Sequence, residues 1–127
     1  MEIDLERVRD VLDDGGSVDG QLRVLVDRLW PRGVKKERLA HDEWDKDAAP
    51  STDLRRAFHS GELDVEEFAA RYRRELDRSG AAADLLERAR SAGFSRITLL
   101  YAAKDVEKNH AQVLRQALLD VERGEDG

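Results

Sequence analysis

Apolar residues in this 127-residue chain fall into two dense runs and several stripes at helical spacing. Leu22-Arg23-Val24-Leu25-Val26 is rich in β-branched residues and reads as a mostly buried strand. Ile97 to Ala103 is almost wholly apolar, the pattern of a central parallel strand covered on both faces. Ile3 and Leu5 alternate with acids, so Ile3–Val8 is a third, less regular strand; Arg7 and Val8 break its alternation. Between the strands the period changes from two to about 3.6. Val34–Leu39 has room for one or two helical turns, whereas His41 to Pro50 is polar and irregular, with Trp44 as its large anchor. Ser51 is placed to cap a helix whose buried face carries Leu54, Ala57 and Phe58 and which ends at Gly61. Asp64 and Glu67 have capping-box spacing ahead of the stripe Val65, Phe68, Ala69, Tyr72 and Leu76. After Ser79-Gly80 a further helix uses Ala82, Leu85, Leu86 and Ala89 and stops at Gly93. Asp105 is placed to cap the last helix, with Val106, His110, Val113, Leu114, Ala117, Leu118 and Val121 on its inner face.

Strands separated by helices predict an α/β fold: a small, mostly parallel sheet of about three strands, covered by about five helices. Residues 1–127 form a single domain, with residues 1–2 and 122–127 frayed. There is no internal repeat and no interdomain linker.

Composition narrows the chemistry. The chain has no cysteine, which excludes disulfides, thiolate metal sites and a cysteine nucleophile. Its three histidines, His41, His59 and His110, form no H-x-x-x-H pair, so metal binding is only weakly signalled; a carboxylate-rich magnesium site is the alternative, against aspartates scattered as this composition leads one to expect. Neither G-x-x-x-x-G-K-[ST] nor G-x-G-x-x-G occurs, and the sequence specifies no cofactor. The longest uncharged run, Ile97 to Ala103, is too short to span a membrane. An acidic N-terminus without an apolar core points to the cytoplasm. A net charge of −6 disfavours non-specific nucleic-acid binding. Arg71, Arg74 and Arg78 share one helix side, but Glu67, Arg71 and Glu75 alternate at i, i+4 spacing, as on a solvated face. Arginines outnumber lysines 17 to five, an acid-rich, lysine-poor balance that suits high salt or a GC-rich genome.

In parallel α/β sheets ligands bind outside the carboxyl ends of the strands. Two charged turns lie there, Asp27 to Gly33 and Lys104-Asp105, and neither is needed to explain the core. Arg28 and Arg32 carry permanent charge in a fork that matches carboxylate or phosphate. On a continuing strand Asp27 and Arg28 would point to opposite faces, so each needs another partner or a ligand. Their alternative is structural: pairing with Asp47, Asp53 or Asp105 to tie loops together. Trp30 is a packing anchor or a stacking platform for a planar ligand. Ser51 and Arg55 stand at a helix start, where N–H groups and the dipole favour an anion; Ser51 is otherwise an ordinary cap. Asp105, Asn109 and His110 form a second polar group. His110 lies on an apolar stripe, where it either hydrogen-bonds within the core or acts as a general base oriented by Asp27 or Asp105. Tyr101 either packs or donates from the same rim. The sequence thus nominates Asp27, Asp105 and His110 for proton transfer. It nominates Arg28, Trp30, Arg32, Ser51, Arg55, Tyr101 and Asn109 for holding an anionic small molecule. The competing reading is a non-catalytic interaction or regulatory module whose arginine–aspartate turns are structural.

Four blocks carry a resemblance. They are Leu25-Val26-Asp27-Arg28-Leu29-Trp30-Pro31-Arg32-Gly33; Trp44-x-Lys46-Asp47-x-Ala49-Pro50-Ser51 followed by Leu54-Arg55; Phe68-x-x-x-Tyr72-x-x-Glu75-Leu76; and Thr98 to Asp105 with Asn109-His110-Ala111. Together they resemble the YeaO-like family of uncharacterised bacterial proteins (DUF 488), over roughly residues 3 to 119. The chain departs from the family pattern at Arg9, where members usually carry an aromatic residue. The resemblance implies a small single-domain α/β protein of the cytoplasm and supplies no reaction.

Overall fold

A computed structural model describes residues 1–103 and 109–124. Four parallel strands form one sheet: β1 (Glu2–Arg7), β2 (Gln21–Leu25), β3 (Glu43–Trp44) and β4 (Arg96–Tyr101), in the spatial order β1-β4-β2-β3. Among the described residues four α-helices accompany it: α1 (Thr52–His59), α2 (Val65–Ser79), α3 (Ala81–Ser91) and α4 (His110–Glu122). The architecture is the expected α/β one, with one more strand and, among the described residues, one α-helix fewer. The added strand, β3, is two residues long and sits in the stretch that reads as irregular. It pairs Glu43 with Val24 and Trp44 with Leu25, a register that two residues cannot announce by periodicity. The segment Val34–Leu39 holds a 3-10 turn at Lys36–Arg38 rather than a helix.

Alternation along the central strands divides the core. Leu22, Val24 and Val26 of the β2 region, with Ile97, Leu99 and Tyr101 of β4, face the helices. There they meet Tyr72, Leu76, Leu85, Leu86, Leu114 and Leu118. Leu25 and Leu100 point the other way, into a smaller cluster with Val8, Val11, Val34 and Leu39, against which Trp30 and Trp44 pack. The central strands are therefore buried on both faces, as their unbroken apolar runs require. Arg23, only 6% exposed, anchors the loop over this second face through two bonds to Asp14, at 2.9 and 2.6 Å.

The helix boundaries have local causes. Ser51 Oγ accepts from the Leu54 N–H, and Asp64 accepts from the Glu67 N–H. Gly80 (φ 74°) ends α2 in the left-handed region, which a Cβ disfavours, and α3 begins at the next residue. The cap of α4 is Asn109, whose side chain accepts from the Gln112 N–H. Asn109 thus takes the capping role expected of Asp105, which lies outside the described residues, as does Val106.

The connections set the location of a crevice. Beyond β2 the chain turns toward the second face, where Trp30, Val34 and Leu39 pack. Beyond β4 it leads to α4, whose Ala111, Leu114 and Leu118 join the helical face. Neighbouring strands that send their chains to opposite faces leave a cleft at their carboxyl ends.

Candidate functional site

A groove of about 520 Å³ lies at that edge. Its walls come from the turn after β2 (Asp27, Arg28, Leu29), from α1 (Arg55, Phe58, His59), from the start of α2 (Val65, Phe68, Ala69) and from the start of α4 (Asn109, His110, Gln112, Val113), with Pro50, Ala102 and Ala103. Of the sequence-nominated residues it gathers Asp27, Arg28, Arg55, Asn109 and His110. The expected opposition of Asp27 and Arg28 does not arise, because β2 ends at Leu25 and strand alternation no longer governs residues 27 and 28. Both line the same groove.

Asp27 and His110 meet. The Asp27 Oδ2 accepts from the Ala102 N–H at 3.0 Å. The His110 Nε2 lies 2.9 Å from Asp27 Oδ1 and 3.0 Å from the Val26 carbonyl oxygen. The residues are 14% and 15% exposed at their side chains, so the pair is largely withdrawn from water. Asp27 Oδ1 lacks a well-directed hydrogen bond in spite of that proximity, since the line to Val26 is the better aligned one. Together the contacts join the ends of β2 and β4 to the first turn of α4. The Asp27 carbonyl adds a bond from Trp44 Nε1 at 2.7 Å.

The two groove arginines differ. Arg28 donates from Nε to the Pro50 carbonyl at 2.9 Å and, less closely, from Nη2 to the Ala49 carbonyl at 3.5 Å. That engages one edge of its guanidinium with backbone, where an acidic partner was the structural alternative. Arg55 is half-buried, and its Nε is shielded from solvent with no hydrogen-bond partner among the described residues. A guanidinium N–H withdrawn from water without an acceptor is costly, a cost that Arg55 bears at Nε while its terminal nitrogens remain reachable.

Other nominated residues lie elsewhere. Trp30 packs edge-on against Trp44, with centroids 5.5 Å apart, and donates to the Val34 carbonyl at 2.6 Å. It belongs to the second core and does not line the groove. Arg32 is exposed and also outside it. Tyr101 is buried in the main core. Ser51 lines a separate concavity of about 500 Å³ with Arg71, Arg74, Glu75 and Arg78. There Glu75 accepts from the Ser51 N–H at 2.9 Å and from its hydroxyl at 2.5 Å. Glu75 thereby serves α1 rather than pairing with Arg71 along its own helix. Asp105 falls outside the described residues.

The apolar half of the groove was not nominated. Phe58 stacks on Phe68 with centroids 4.4 Å apart, and both residues sit on stripes that read simply as core. Leu29 and Val65 are 58% and 41% exposed. An aliphatic residue inside a charged turn, as Leu29 is, was the available signal. Nearby, the Tyr72 hydroxyl donates to the Ala48 carbonyl. Burial, with a smaller contribution from the negative charge of Glu75, drives its pKa well above the ordinary tyrosine value. Among the described residues no cluster of histidines and carboxylates is arranged to hold a metal ion. No described helix is long and apolar enough to cross a membrane.

Comparison with known proteins gives the lineage. Residues 2–127 match the model of a family described as the inactive DUF488-N3 subclade. The chain is 46% identical over 114 residues to the uncharacterized protein YeaO of Escherichia coli K12, covering 90% of this chain and 94% of that one. It is 43% identical over 112 residues to uncharacterized proteins of Mycobacterium bovis and Mycobacterium tuberculosis, covering 88% of this chain and 92% of each of those. No solved structure matches it significantly. Matches that span nearly the whole of each chain make this protein a member of the inactive DUF488-N3 subclade, in the YeaO-like group.

Proposed function

We propose that the chain binds an anionic small molecule in the groove between α1, α2 and α4, and holds it without turning it over. One observation carries this reading: Arg55 lines the groove and forms no ion pair among the described residues, with its Nε sealed from solvent and its terminal nitrogens left reachable. A ligand carboxylate or phosphate would meet those terminal N–H groups through a charge-assisted bond. The volume falls in the range usual for small-molecule sites, and the position is the one that parallel sheets favour. The description of the family as inactive favours binding over turnover. We expect the chain to meet its ligand in the cytoplasm, the compartment that the resemblance to the YeaO-like family implies.

A catalytic reading rests on the juxtaposition of Asp27 and His110. On that reading Asp27 holds Nε2 and His110 takes a proton at Nδ1. The contacts of the pair to Ala102 and Val26 account for it equally well as a clip between strand ends.

Amide chemical-shift mapping with a panel of small carboxylates and phosphates tests the proposal. Saturable shifts confined to α1, the start of α2 and the start of α4 are expected. Arg55→Ala should weaken binding at least tenfold, the loss of one charge-assisted hydrogen bond, with the far-UV spectrum unchanged. Binding unaffected by that substitution, or none at all, refutes the reading. Chemical change in a bound probe that ceases in His110→Gln supports the catalytic alternative.

A further inference from the structure

We infer that the ligand of this groove is a hydrophobic monocarboxylate, an aromatic or aliphatic acid with one negative charge, rather than a nucleotide or another phosphate-rich compound. The inference rests on the anion-binding reading above and adds the ligand's class. Three features converge on it. First, one guanidinium of the groove keeps its terminal nitrogens for a ligand. Arg55 lines the wall and forms no ion pair among the described residues; its Nε is sealed from solvent, and its two terminal nitrogens present side by side the fork that matches the two oxygens of a carboxylate. Arg28 cannot do the same, because its Nε and Nη2 already face the Pro50 and Ala49 carbonyls.

Second, the groove includes a negative group. Asp27 lines it, and neighbouring His110 is held by Val26 and Asp27 itself. A second or third ligand charge would meet Asp27 at short range in a partly desolvated site, where like charges repel strongly. Third, the rest of the wall is carbon. The stacked Phe58 and Phe68 form a floor, and Val65 and Leu29 extend the apolar surface out to the rim. Exposed aliphatic side chains at the mouth of a pocket are costly in water and gain by covering an apolar ligand body.

The test compares four probes of the full-length chain by amide chemical-shift titration: octanoate, 3-phenylpropionate, inorganic phosphate and adenosine monophosphate. Octanol serves as the uncharged control. Both carboxylates should shift groove amides at concentrations at least tenfold below those needed for phosphate or the nucleotide, and octanol should bind at least tenfold more weakly than octanoate. Arg55→Gln should remove the preference for octanoate over octanol. Val65→Asp should weaken both carboxylates and leave the fold intact, since an acid is favourable in the first turn of a helix. If phosphate or the nucleotide binds in the groove more tightly than the carboxylates, the ligand class is wrong while anion binding stands. If none of the probes binds, both readings fall.

Discussion

Replacing Asp27 by alanine separates a structural clip from a catalytic group. The carboxylate accepts the Ala102 N–H at 3.0 Å just beyond β4, and its other oxygen lies 2.9 Å from His110 Nε2. Alanine leaves the part-buried Ala102 N–H without its acceptor. A hydrogen bond to a charged acceptor contributes about 1.5–3 kcal/mol. His110 keeps the Val26 carbonyl at 3.0 Å, so its orientation persists and adds little to the loss. In a domain of this size a loss of about 2 kcal/mol corresponds to a fall in Tm of about 6–10 °C. The Asp27→Asn substitution is the informative control. An amide oxygen at this position can still accept from Ala102, so Asp27→Asn should recover more than half of the lost stability. Urea denaturation of the three proteins, with Tm by calorimetry, measures the series. Wild-type stability in Asp27→Ala would refute the clip. So would equal destabilisation by alanine and asparagine, because the Ala102 bond would then not be the source.

Two further predictions concern pH. Tyr72→Phe should cost about 1 kcal/mol at neutral pH through the lost bond to the Ala48 carbonyl. The native phenol keeps its proton above the ordinary tyrosine value of about 10. Its stabilising effect is therefore complete below that value and is lost as pH rises from there toward the raised native pKa. The gap between wild type and Tyr72→Phe should narrow in denaturation curves taken above about pH 10, and a constant gap would contradict the burial argument. Asp14 behaves in the opposite sense, since its hydrogen bonds to Arg23 hold its carboxyl below the usual range. The stabilisation is present above the ordinary aspartate value of about 4 and disappears as pH falls through the lowered native one. Asp14→Asn should be less stable than wild type at neutral pH by about 1–3 kcal/mol and should show a flatter acid limb; parallel acid titrations of the two proteins would count against the pair.

The candidate site was half legible for a physical reason. Charged residues in a turn beyond a buried strand attract notice because the core does not need them, and that logic found Asp27 and Arg28, while Arg55 came from its place at a helix start. The meeting of Asp27 with His110 was one of the alternatives open for that histidine. Apolar lining residues give no such signal. Phe58 and Phe68 line the groove from stripes that also supply Leu54, Tyr72 and Leu76 to the core, and periodicity cannot say where along a stripe the neighbouring helix diverges. Trp30 shows the converse: a prominent aromatic in a prominent turn packs beneath it, because the turn folds over the second face of the sheet.

By itself, the sequence determined the two buried strands, the caps at Ser51 and Asp64 and the helical stripes, because these depend on contacts within a few residues and on a fixed period. Tertiary structure decided the four-strand order, the short pairing of Glu43 and Trp44 against β2, and the division of arginines between backbone bonds, ion pairs and the groove. Those outcomes turn on which groups lie within about 3 Å after the chain has closed on itself, and distance along the sequence does not encode that separation.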